Sequence, residues 1–294
     1  MTIETLFKNL KKTVAYQERE NSSYYEELEM KIKGYFLNHT YHSCFSIEIS
    51  SYAEMKMLKN YLGCITKPNK ESFTGLADAF LYYFMAFSVI PKDKGEKARL
   101  NITSLNMCHC MLGILTCLSP QDIKIAFECF LDVINYEIGR GKKVLYKNTL
   151  FPEVFILYDL LTDNNSSALL NKYIGDTPMP SVYKNFLQLI DSDDEDSINL
   201  AVDEMVDYHL MQCRNDTFRR EFYSLIWRFM PVEIWAFLRL RIIRGKTISF
   251  VKNKMIKKSL PFLMQEKYEL SQTAQSLKEV IYKNYVSNKV EPTA

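Results

Sequence analysis

Nine glycines among 294 residues constrain this chain more than any other feature of its sequence. That is roughly 3%, against a usual ~7%. Phosphate-cradling loops and Rossmann turns need glycine, and sheets need turns. The shortage therefore points to helices and away from nucleotide-binding α/β folds. The hydrophobic pattern agrees. In "SPQDIKIAFECFLDVINYEIG", Ile123, Ala126, Phe127, Phe130, Val133, Ile134 and Ile138 recur at helical spacing. Ser119 is the natural N-cap, Pro120 takes the first helical position, Asp122 faces the dipole, and Gly139 stops the helix.

The same reasoning predicts helices near 3–19, 22–38, 51–64, 71–91, 102–118, 119–138, 152–163, 180–191, 194–213, 216–229, 231–244, 248–264 and 270–287. Ser23 with Glu26 and Ser51 with Glu54 read as capping boxes. "CFSIEIS" alternates at Phe45, Ile47 and Ile49 and reads as a short strand without a partner. The fold class is all-α, an irregular array of antiparallel helical hairpins forming a curved bundle or superhelix. No tetratricopeptide spacing recurs. The expected organisation is a single all-helical domain over 1–294. Two basic connectors interrupt it, "PKDKGEKAR" (91–99) and "GRGKKVLYKNTLFP" (139–152), and the second is where lobes 1–140 and 150–290 would part.

Hydrophobic residues make up 47% and charged residues 24%, as in folded soluble proteins. The seven cysteines are odd in number, and most lie in apolar runs such as "CHCMLGILTC", which predicts reduced, buried thiols in a cytoplasmic protein. "MTIETLFKNLKK" lacks a signal-peptide core, and apolar runs such as Ala79 to Ile90 fall short of the ~20 residues a membrane span needs.

No motif indicates a reaction. G-x-S-x-G, H-E-x-x-H and a P-loop are all absent. "CHC" (108–110) resembles a ligand cluster, but neighbouring helical residues point about 100° apart, so Cys108 and Cys110 face away from each other. His39, His42, His109 and His209 cannot be joined to a base or an orienting group by spacing, and His39 and His42 read as helix-end caps. No catalytic residue, metal or cofactor is expected.

Charge is distributed unevenly. Pro152 to Cys213 holds twelve acids and two lysines, about −10, while Arg214 to Ala294 holds sixteen bases and seven acids, about +9. The densest acids are Asp191, Asp193, Asp194, Glu195 and Asp196 at a helix start, followed by Asp203, Glu204 and Asp207. A helix dipole accounts for two or three of these, and additional ones repel. The eight acids are the candidate docking face for a basic partner; a calcium loop would need a glycine that is missing.

"FMPVEIWAFLRLRIIRGK" (229–246) is apolar enough for a core yet carries Arg239, Arg241 and Arg244 with one acid, Glu233. Pro231 opens the helix, and Glu233 can reach back to its free amides. A helix apolar around its whole axis is buried, so its arginines must find carboxylates or carbonyls or reach solvent. Glu233, Arg239, Arg241 and Arg244 are expected to form structural ion pairs.

"MPVEIWAFLRLRIIRG", with the apolar helix ending "SLPFLM", resembles the C-terminal signature of the immunity-49 family of bacterial polymorphic toxin systems. The likeness spans Met230 to Met264, with "VKNKM" where the family has a His-Pro stretch. It implies a non-enzymatic protein that binds and neutralises a cognate toxin encoded nearby, with no catalytic residues. A nuclease toxin would be basic, and an acidic face would mimic its phosphates. Direct nucleic-acid and membrane binding are not expected. The alternatives are a helical scaffold or adaptor, and an all-α enzyme with a pocket formed by distant helices.

Overall fold

The computed structural model describes residues 2–38, 45–88, 104–139, 150–169, 179–213, 221–222 and 224–290. Among them are fourteen α-helices, one 3₁₀ turn at Ser166–Leu169 and no strand, so the chain is all-α. None of these helices is long and apolar enough to cross a membrane. His39, His42, Cys44 and most of both basic connectors lie outside the described residues.

Helices α1 (Ile3–Glu20) and α2 (Ser22–Asn38) are separated by one residue. Leu6, Leu10 and Val14, four residues apart, bury the inner stripe of α1. Helices α3 (Phe45–Thr66) and α4 (Lys70–Ser88) form a hairpin across a three-residue link. Asn69 starts α4 by accepting from the Ser72 amide at 2.8 Å. The run Ala79 to Ala86 is buried throughout, so α4 is a central helix.

The alternating segment at Phe45 is a correction to the sequence reading: Phe45 to Ile49 form the first turns of α3, and Ser51 lies inside that helix rather than capping it. Three alternating positions are too few to fix a strand, and no strand among the described residues is there to pair with one.

Helices α5 (Ser104–Cys117) and α6 (Pro120–Gly139) meet at Ser119, which accepts from the Asp122 amide at 3.2 Å as the sequence predicts. Asp122 also holds Lys278 at 3.1 Å. After α7 (Leu150–Thr162) come α8 (Ser181–Gln188), α9 (Glu195–Gln212), α10 (Leu225–Phe229) and α11 (Val232–Ile243). The single helix expected over 248–264 is instead two one-turn helices, α12 (Lys254–Lys257) and α13 (Leu260–Leu263). Pro261 explains the break, since it has no N–H to continue the ladder. Helix α14 (Gln272–Val290) closes the chain; the Asp78 carboxylate, 2.9 Å from the Ser271 amide, anchors its start.

One hydrophobic cluster extends from Leu6 to Ile281, with α11 packed on α5 and α7 at its middle. The six described cysteines, Cys108 and Cys110 among them, are all buried in it. Glycine is needed at Gly113 in α5, where an added Cβ would overlap the Phe80 ring of α4. Gly113→Ala should therefore cost about 1–3 kcal/mol through overpacking. Urea unfolding checks this, and an unchanged midpoint would mean that α4 and α5 do not pack this closely.

Candidate functional site

Asp194 sets the start of the acidic helix. Its carboxylate accepts from the amides of Asp196 and Ser197, both at 3.1 Å, and from the Ser197 hydroxyl at 2.6 Å. The Ser197 contacts lead in holding its pKa below the usual carboxylate range. Ile198, Ala201, Val202, Met205, Val206 and His209 form the inner face of α9. The outer face is set by helical spacing: Asp196, Leu200, Asp203, Glu204, Asp207 and Met211 share an arc of about 100°. All six are exposed.

Much of the acid cluster is already engaged by the chain itself. Arg244 bonds Asp191 at 2.5 Å and Lys246 bonds Asp193 at 2.8 Å. Lys252 lies 3.9 Å from Asp196, and Asn253 donates to Asp203 at 2.6 Å. Asn199 strengthens this seam by accepting from the Lys252 amide at 2.8 Å. Part of the sequence-level charge dipole is thus folded onto itself. Glu195 is exposed but lies outside the arc, while Glu204 and Asp207 stand within it. Between the acids are two apolar side chains that water should not favour, Leu200 (63% exposed) and Met211 (46%).

The turn after α11 delivers the basic residues to this seam. Gly245 has φ +76°, and the Gly245 and Lys246 amides bond the carbonyls of Ile242 and Arg241, each at 2.9 Å. That is a Schellman closure, which requires a residue tolerant of left-handed backbone. It places Arg244 and Lys246 opposite Asp191 and Asp193.

The other arginines correct the expectation of ion pairs. Arg241 is 1% exposed and donates to the carbonyls of Leu189 (2.8 Å), Ile190 (2.7 Å) and Ser192 (3.0 Å), just beyond the end of α8. Arg239 donates to the carbonyls of Leu263 (3.1 Å), the last residue of α13, and of Gln265 (2.8 Å) and Glu266 (3.4 Å) just after it, and its guanidinium sits over the Tyr268 ring. Both satisfy carbonyls that helix ends leave unpaired. Of the three arginines, Arg244 has the carboxylate partner.

Glu233 does not reach back to its own amides. It is fully buried, and its Oε1 lies 2.7 Å from His209 Nδ1. His209 Nε2 lies 3.0 Å from the Arg228 carbonyl, which can only accept, so that nitrogen carries a proton. Burial would drive His209 neutral, but the Cys213 sulfur and the Glu233 carboxylate hold its pKa well above the ordinary value. Protonated His209 donates from Nδ1 to Glu233 Oε1 across the 2.7 Å contact.

This pair belongs to a titratable cluster that sequence reasoning missed. Glu221 accepts from the Tyr208 hydroxyl at 2.9 Å and the Tyr183 hydroxyl at 3.5 Å. Burial pushes its pKa up to about 8, with the Glu233 charge adding to the shift and both tyrosines opposing it. Glu153 in α7 is fully buried, and neither of its carboxyl oxygens has a hydrogen-bond partner. Burial first, then Glu233 and Glu221, raise its pKa well above the carboxylate range. His109 stacks on Trp227 and donates from Nδ1 to the Leu105 carbonyl at 2.8 Å; burial lowers its pKa to about 3. Among the described residues, no three His, Cys, Asp or Glu side chains are placed to hold a metal ion.

The sequence signals for this cluster are acids inside apolar runs, Glu233 in "MPVEIWAF" and Glu153 in "LFPEVFILY". No family model matches the chain, and no curated protein or solved structure is detectably similar to it.

Proposed function

We propose that this chain is a non-enzymatic binding protein that neutralises a cognate toxin of basic surface, docking it on the outer face of α9. The observation that carries this reading is Leu200 and Met211 exposed on an acidic arc with Asp196, Asp203, Glu204 and Asp207. Acids alone are a solvated helix face. Apolar side chains among them supply the dehydrated centre of an interface, and the acids supply steering and a polar rim. The resemblance of Met230 to Met264 to the immunity-49 signature supplies the toxin class. Asp191 and Asp193 keep an internal role, holding the turn after α11 rather than meeting the partner.

An all-α enzyme is the second reading, and the buried titratable cluster is its support. Glu153, Glu233 and His209 are all fully buried, which favours a structural role for them.

The test is co-purification with the product of the adjacent gene, followed by calorimetry. Leu200→Lys and the pair Glu204→Gln/Asp207→Asn should each weaken binding about tenfold or more, and the charge pair should also reduce its salt dependence. Neutralising Glu20 and Glu26, which also removes two charges, is the matched control. If the α9 variants bind and protect cells as the native chain does, this face is not the docking site. If the adjacent product does not bind at all, the toxin reading fails.

A further inference from the structure

We propose that the cleft between α1 and α12 is a docking site for an acidic peptide segment carrying an apolar side chain. The cleft measures about 400 Å³ and is lined by Ile3, Glu4, Phe7, Lys254, Lys257 and Lys258. Ile3 and Phe7 are half-buried and form an apolar wall, while the three lysines stand exposed at the rim. Lys258 Nζ sits 5.3 Å over the Phe7 ring, and Lys254 reaches Glu4 at 3.7 Å. Helical spacing extends the charge: Lys8 follows Glu4 and Lys11 follows Phe7 by four residues, so both continue the cleft-facing side of α1. Both are exposed. Five lysines thus surround one glutamate.

The chemistry selects the occupant. Carboxylates relieve the mutual repulsion of the lysines, and an apolar side chain covers Ile3 and Phe7. A single-stranded nucleic acid would need aromatic faces for its bases, and the one ring in the cleft is already covered by an ammonium. Glu4 on the rim would also repel a continuous phosphate backbone. The cleft is too open to bury most of a small molecule's surface. A peptide side chain with flanking acids fits wall and rim together. This inference does not rest on the toxin reading, because the residues of the α9 arc do not line the cleft.

The experiment is fluorescence anisotropy on the full chain, with a labelled peptide in which one leucine is flanked on both sides by glutamates. Saturable binding at low salt is expected. Lys254→Glu/Lys257→Glu should weaken it about tenfold or more. Lys257→Gln, a milder change at an exposed position, should weaken it by a smaller factor, with an unchanged circular-dichroism melting curve. Replacing the peptide leucine with serine should also weaken binding, whereas Leu200→Lys in α9 should leave it unaltered. The proposal is overturned by the absence of saturable binding, or by lysine variants that bind like the native chain. It is equally overturned if the serine peptide binds as tightly, or if a single-stranded oligonucleotide or anionic vesicles of matched charge bind more tightly.

Discussion

His209→Leu is expected to lower stability by about 3–5 kcal/mol, the usual cost of leaving one half of a buried pair behind. The reason lies in the surroundings of Glu233. Its Oε1 has His209 Nδ1 at 2.7 Å, while its Oε2 has no hydrogen-bond partner. Removing the imidazole leaves the whole carboxyl group dry and unmatched, and it also frees the Arg228 carbonyl that Nε2 holds at 3.0 Å. The double variant His209→Leu/Glu233→Leu should recover most of the loss, because apolar pairs of similar volume replace buried ion pairs at little cost. Urea unfolding at constant slope gives both numbers, and the cycle gives their coupling. If the double variant is as unstable as the sum of the two singles, the pair is not a coupled unit. The stabilisation then comes from the packing of His209 on Phe222, whose ring centroid lies 4.1 Å away.

The distribution of such contacts along the chain explains what the sequence could and could not disclose. Helix positions follow from local information, meaning periodicity over a few turns, caps within three residues, and scarce glycine. Ser119, Pro120 and Asp122 behave as their positions predict because every group involved lies within one turn. Two departures from the sequence pattern are also local: the alternation at Phe45 yields to the helical register of α3, and Pro261 breaks the helical pattern into α12 and α13. The acid cluster was visible, but its partners were not. Asp191 meets Arg244, and Asp203 meets Asn253, across about fifty residues of chain. Arg241 looked like half of an ion pair because sequence shows side chains and hides carbonyls, and carbonyls are what it binds. Leu200 and Met211 were legible as apolar residues, and only the fold shows them on the outward side of α9.

Glu153 is the residue whose substitution should raise stability. It is a carboxyl group at full burial with no hydrogen-bond partner, close enough to Glu221 and Glu233 to feel both charges. Its pKa is raised above the value it has in the unfolded chain, and burial raises that of Glu221 to about 8. The folded protein therefore keeps protons that the unfolded chain releases at ordinary carboxylate pH. Stability from these groups is fully present below about pH 4.5 and is lost as pH rises, for Glu221 through about 8. Each group contributes a slope of up to about 1.4 kcal/mol per pH unit inside its window. His209 acts in the same direction, since its raised pKa gives stability below about 6.5 that is lost at higher pH. Denaturant titrations at successive pH values should thus show stability falling from mildly acidic to mildly alkaline conditions. Glu153→Leu removes one titrating group and fills its place with apolar volume. It should add about 1–4 kcal/mol at neutral pH and flatten the pH slope by roughly one group. A destabilised Glu153→Leu at pH 7 would mean that the carboxyl group makes a favourable contact in the core. A stabilised variant with an unchanged pH slope would leave the cavity filled but assign the titration to Glu221 and His209 alone.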